Sequence, residues 1–290
     1  MAIDIMAAFE EEPPTLDFIW PGFLAGSVGA LVAPGATGKS FWALEAAMAV
    51  ACGVPGGDIL GLAPAAAGRV VYLAAEDPEP ALVCRLHTLG AHLGQTAREA
   101  IAERLLLEPI LGKRLNILDE SHLSRVIEVC TDARLLVLDT LSRIHTLDEN
   151  DNGQMARLVS QLEHIAAQTG CAVLFLHHVS KASARERGDE QQAARGASAL
   201  VDNARWSGYL TQMSESDGKY LSDRPYDRAP IGVRRGLFVK WGVSKQNYGH
   251  GLVPRWFRRD TGGVLVPVDL VEAVDDSKRS CGSGGGRAHA

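Results

Sequence analysis

No apolar run in this 290-residue chain is long enough to span a bilayer. Its start, MAIDIMAAFEEEPP, is acidic where a secretory leader is basic and then apolar. Neither feature suggests a membrane partner, and a cytoplasmic location is the expectation. Cysteine pairs are missing too. The five cysteines (Cys52, Cys84, Cys130, Cys171 and Cys281) are odd in number and scattered, which excludes a disulfide framework or a Cys-type zinc site and fits reduced thiols. No internal repeat occurs. Excess positive charge is lacking as well: the net charge of −6 argues against a globally basic nucleic-acid coat. A locally basic channel stays open, because association depends on where charge sits. The 46% hydrophobic and 22% charged fractions are those of an ordinary soluble protein, long enough for one large domain or two modest ones.

Against this plain background one segment stands out. APGATGKS, Ala33 to Ser40, follows an apolar run and precedes a helix-compatible stretch. It matches the nucleotide-binding loop of P-loop NTPases, with Ala33 in place of the first glycine. Gly35 and Gly38 let the backbone wrap so that amide N–H groups converge on phosphates, and the helix starting near Lys39 adds its positive dipole end. Lys39 is expected to reach the β- and γ-phosphates of ATP and the Ser40 hydroxyl to ligate Mg²⁺. The spacing assigns Ala33, Pro34, Gly35, Ala36, Thr37, Gly38, Lys39, Ser40 and Phe41 to the nucleotide-binding segment. The plainer alternative is a glycine-rich turn between strand and helix.

Around the loop, short apolar strands alternate with helical patterns. Strands are expected at Val28–Val32, Arg69–Ala74, Leu135–Leu138, Ala172–Leu176 and Leu237–Val243. Helices are expected at Lys39–Cys52, Glu79–Leu93, His122–Cys130 and Met155–Thr169. Trp256–Arg258 and Val264–Pro267, joined by Asp260–Gly263, read as a hairpin, and RGASALVDNARW, Arg195 to Trp206, as helical. The pattern predicts an α/β fold with a mostly parallel sheet covered by helices on both faces. Residues 1–16 form an N-terminal arm with one amphipathic stretch (Ile3, Ile5, Met6, Phe9), either disordered or docked on a neighbouring subunit. Residues 17–270 form the core, and residues 271–290 a flexible Gly/Ser-rich tail.

Three further sites follow strands. Asp139 ends RLLVLDT, where the edge of a parallel sheet opens toward ligand; it is expected to hold Mg²⁺ opposite Ser40, or else to cap a turn. Glu76 in VVYLAAEDP is a candidate for orienting the attacking water, ahead of Asp77, which before Pro78 often only starts a turn. His177 and His178 sit at the end of the strand within VLFLHHVSK; His178 is favoured as a sensor of the γ-phosphate, against a half-buried structural pair. The polar stretch after it, with Lys181, Arg185, Arg187 and Arg195, reads as an exposed loop able to track a phosphate backbone, or as a solvated surface.

Taken in order, these motifs resemble the RecA-like ATPases, and among them the DnaB-type ring helicases, most closely the RepA-type hexameric replicative helicases of IncQ broad-host-range plasmids. The likeness runs from LDFIWPGFLAGSVGALV through YLAAEDP, LLVLDTLSRIH, TGCAVLFLHHVSK, RGASALVDNARW, GVSKQNYG and RWFRRDTGGVL. It implies an ATP-driven homohexamer moving 5′ to 3′ on single-stranded DNA, with nucleotide between subunits. It implies Lys39, Glu76, Asp139 and His178 in the roles given above, the loop Lys181 to Arg195 lining a DNA channel, and plasmid initiator and primase proteins as further partners. Arg205 matches the trans arginine finger of the plasmid subgroup. Lys245 matches the lysine of the DnaB-type Lys-x-Arg motif, whose arginine position is Asn247 here, so Arg205 is the expected finger and Lys245 its helper. As a departure from that pattern, no primase-like domain, zinc site or N-terminal collar is expected before the core, so that ring closure is expected from core contacts and the arm. A RecA-like ATPase of another class, such as a recombinase paralogue or a signalling ATPase, is the alternative, since this core hosts many activities.

Overall fold

Alternation along nearly all-apolar strands sorts their side chains onto the two faces of one sheet. The computed structural model describes residues 2–179, 198–249 and 252–274. Its strands are β1 (Phe18–Trp20), β2 (Phe23–Leu24), β3 (Val28–Ala33), β4 (Arg69–Ala74), β5 (Leu105–Pro109), β6 (Ala133–Asp139), β7 (Ala172–His178), β8 (Trp206–Gln212), β9 (Leu221–Ser222), β10 (Phe238–Gln246), β11 (Arg255–Arg259), β12 (Leu265–Val268) and β13 (Val271–Glu272). The helices are α1 (Ile5–Glu10), α2 (Lys39–Cys52), α3 (Glu79–Gly90), α4 (Gln95–Arg104), α5 (Glu120–Val129), α6 (Asn152–Thr169), α7 (Ser198–Asn203) and α8 (Glu215–Tyr220).

Nine strands form one sheet in the order β12-β11-β10-β8-β3-β7-β6-β4-β5. From β8 to β5 all neighbours are parallel; β10, β11 and β12 add an antiparallel extension. Leu31 and Ala33 of β3, Leu135 and Val137 of β6, and Leu174 and Leu176 of β7 pack with α2, α3 and α4. Their neighbours Val32, Leu136, Leu138, Val173 and Phe175 pack with α5, α6 and α7 on the other face. This is the mostly parallel, doubly covered α/β sheet that the strand pattern predicts. Helix α2 is buried on nearly all sides, which explains its run of alanines and lack of a polar face. Gly29 sits under aromatic rings: a Cβ there would lie 2.8 Å from Phe23 and 3.2 Å from Trp206.

Three expectations need correction. The strand expected at Leu237–Val243 is β10, and it runs antiparallel to β8 instead of joining the parallel set. The boundary at 270 is too early: β13 pairs with β9, and Ala273 and Val274 N–H donate to Tyr220 O and Arg228 O. These backbone bonds hold the chain past the expected start of the tail, while residues 275–290 lie outside the described residues. Of the helical pattern assigned to Arg195–Trp206, residues 198–203 form α7, Trp206 opens β8, a central strand beside β3, and residues 195–197 lie outside the described residues.

Candidate nucleotide-binding site

The sheet's carboxyl edge gathers four segments. β3 ends at Ala33 and turns through the phosphate loop into α2; its neighbour β7 ends opposite it, with Ala33 paired to His178. β6 ends at Asp139, and β4 leads to Ala75, whose N–H donates to Asp139 O at 2.6 Å, and then to Glu76. The loop is wound tightly, with Ala36 at φ 62° and Gly38 at φ 104°, both left-handed. Thr37 Oγ1 closes the turn by donating to Pro34 O at 2.8 Å.

Lys39 projects back across this loop. Its Nζ donates to Ala33 O at 2.8 Å and Pro34 O at 3.4 Å, and lies 2.9 Å from His178 Nδ1. Burial pulls the ammonium down to about 8, against the upward pull of the Asp139 and Glu76 carboxylates. A lysine donating to Nδ1 requires the tautomer with the proton on Nε2, and that nitrogen faces Glu76 Oε1 at 3.6 Å. His178 therefore stands between the phosphate-loop lysine and Glu76. His177 points to the other face; it is buried, and burial, with the charge of Lys39 adding to it, lowers it to about 4, so it stays neutral. Of the two carboxylates after β4, Asp77 is paired with Arg85 at 2.5 Å. Among the described residues Glu76 has looser partners, His178 and, at 3.9 Å, Arg143 Nε.

Asp139 is buried beside α2. Tyr72 O–H donates to its Oδ2 at 2.7 Å, and the Ser40 hydroxyl donates to the same carboxylate. Burial raises its pKa, and these two hydrogen bonds work against that rise. Ser40 and Asp139 thus form a hydroxyl–carboxylate pair of the donor chemistry Mg²⁺ takes, with the remaining positions left for water and phosphate oxygens. No sequence signal singles out Tyr72 or Arg143; both reach the site from positions that read as ordinary strand and turn.

Arg205 and Lys245 lie elsewhere. Arg205 is exposed, and its backbone N–H donates to Val28 O at 2.8 Å, at the start of β3. Lys245 pairs with Ser207 on the adjacent strand, and its Nζ donates to Asp202 O. The two are brought together, but at the far end of the sheet from the phosphate loop; five residue steps along β3 span about 16 Å. Lys181, Arg185, Arg187 and Arg195 lie outside the described residues.

A model of the AAA domain matches residues 2–184, more than half of the chain. The chain belongs to the AAA domain family. The AAA domain match covers the phosphate loop, Glu76, Asp139 and His178 and stops before β8. Among solved structures, one ATPase domain is 12% identical over 91% of this chain and 96% of that one, with a TM-score of 0.56. The RadB recombinase is 14% identical over 84% of this chain and 90% of that one, with a TM-score of 0.50. At such identities the likeness is one of fold, and the fold is that of a RecA-like P-loop ATPase domain. No helix among the described residues is long and apolar enough to cross a membrane.

Proposed function

We propose that this chain is an ATP-driven, ring-forming replicative DNA helicase that translocates 5′ to 3′ on single-stranded DNA and separates duplex strands during plasmid replication. The observation that carries the reading is the separation of Arg205 and Lys245 from the phosphate loop of their own chain. Two cations at the opposite end of the sheet cannot complete their own site, which supports the reading that they complete a neighbour's, as a ring with nucleotide between subunits requires.

Within one subunit the division of labour follows from position. Lys39 and the loop amides bind the phosphates, and Ser40 with Asp139 would hold Mg²⁺, which supplies charge neutralisation on the phosphate oxygens. Glu76, free of the ion pair that occupies Asp77, accepts a proton from the attacking water and aligns it. His178 touches Lys39 and faces Glu76, and two residues later the chain enters the segment bearing Lys181, Arg185, Arg187 and Arg195. A change in phosphate occupancy felt at His178 is therefore passed directly to that segment, which grips DNA phosphates and gives a sequence-tolerant, salt-sensitive contact.

The deciding experiment is strand displacement on a forked duplex with ATP and Mg²⁺, beside Lys39→Ala. Displacement from a 5′ tail, abolished in the variant, is the expected result. DNA-stimulated hydrolysis without displacement would turn the reading to a recombinase-type ATPase, and no response to DNA to a signalling ATPase.

A further inference from the structure

We propose that Arg259, at the end of β11, is a positioning residue for the nucleotide site: it holds the phosphate loop in its binding shape and adds an uncompensated positive charge behind it. The inference rests on the nucleotide-binding reading of the loop and concerns a residue beyond the segment that the family model matches.

A loop whose amide N–H groups converge on an anion must turn its carbonyls outward, and each outward carbonyl needs a donor. Arg259 supplies two: its Nη2 donates to Ala36 O at 3.0 Å and to Thr37 O at 2.6 Å. These carbonyls belong to the two peptide groups between the left-handed residues Ala36 and Gly38. An alanine in that region is strained by about 1–2 kcal/mol, so the conformation needs support from outside the loop. Glycine at position 38 answers to the backbone angle of φ 104°; a Cβ there would make only ordinary contact with Arg259 Nη2, at 3.6 Å.

The rest of the β11–β12 hairpin fastens the same arm to α2. Gly263, at φ 99°, rides on the Phe41 ring, which a Cβ would meet at 3.0 Å. Leu265 N–H donates to Glu45 Oε1 at 2.9 Å. The backbone of Arg259 is thus held at a fixed height beside the loop.

Its charge is the second observation. Among the described residues no carboxylate oxygen lies within 4.0 Å of the guanidinium, and its Nε is buried without an acceptor. Burial alone lowers its pKa, with no anion offsetting the cost. A cation kept partly desolvated and unpaired, in contact with the backbone of an anion-binding loop, gains its counter-charge when a triphosphate binds.

The test is equilibrium binding of a fluorescent ADP to the full chain, to Arg259→Ala, to Arg259→Lys and to Lys39→Ala, with thermal unfolding measured without nucleotide. Losing a charged hydrogen-bond donor predicts an affinity about tenfold weaker for Arg259→Ala. Arg259→Lys keeps the charge without the fork and should recover part of that loss, and it carries the test if the alanine variant does not fold. In steady state the signature is a raised KM for ATP with a far smaller change in kcat. If the folded variants bind ADP as tightly as the parent while Lys39→Ala does not, the role of Arg259 is overturned and the nucleotide site stands. If the parent itself does not bind, both fall.

Discussion

Glu45 carries an unusual electrostatic load for a side chain outside the catalytic edge. It sits in the second turn of α2 with 1% of its surface exposed. One oxygen accepts from Leu265 N–H, and among the described residues the other has no partner. Burial lifts its pKa to about 8 from an ordinary value near 4.5, with the bond from Leu265 only partly opposing. The folded state therefore prefers the neutral acid. Its favourable contribution is complete below about pH 4.5, where both states are protonated, and is lost as pH rises toward 8, because the unfolded chain ionises first. Over that window the loss amounts to a few kcal/mol. Glu45→Gln keeps an acceptor for Leu265 N–H and removes the titration. Denaturant midpoints measured from pH 5 to 8 should fall for the parent and stay flatter for the variant, which should be the more stable at pH 8. Parallel slopes would show that Glu45 is ionised in the fold.

At the scale of elements, β8 and β10 bring Arg205 and Lys245 to one end of the sheet while β3, β4, β6 and β7 bring Lys39, Glu76, Asp139 and His178 to the other. That separation makes a subunit-mixing prediction. Arg205→Ala and Lys39→Ala should each hydrolyse ATP poorly alone. Mixed, they form some interfaces in which an intact Lys39 meets an intact Arg205, and part of the activity should return. Mixtures no more active than their components would place the finger elsewhere. The same division explains what was legible in the chain. Lys39 was legible from the phosphate-loop motif, and Glu76, Asp139 and His178 drew notice because they follow or end apolar strands; α2 and β4 fall on their expected bounds. β8 was hidden because Trp-Ser-Gly-Tyr mixes small and polar residues into a buried strand. Gly208 is there because the Trp206 ring leaves no room, a Cβ meeting it at 2.5 Å. β5 was hidden by running straight on from α4. Tyr72, Arg143 and Arg259 reach the site only through tertiary packing, for which local pattern carries no sign.

For the molecule as a whole, the proposed ring needs something to hold its copies together, and the arm is one place where the chain leaves apolar side chains exposed. Helix α1 is capped by Asp4, which accepts from Met6 and Ala7 N–H, yet none of its residues is buried. Ile3, Ile5, Met6 and Phe9 are 77%, 58%, 61% and 77% exposed. Six residues of helix do not hold in water by themselves. Covering four such side chains on a neighbouring subunit yields about 2 kcal/mol each, or roughly 8 kcal/mol gross per contact, before the cost of ordering the arm is subtracted. Repeated around a ring, that is enough to decide between closed rings and loose subunits at micromolar concentration. On the proposed ring reading, deleting residues 1–16 should therefore shift the sedimentation profile from hexamer to smaller species. The unfolding temperature of the core should hardly move, because the arm buries nothing on its own chain. Hexamers that survive the deletion intact would rule out the arm as the fastening and leave ring closure to contacts between the cores.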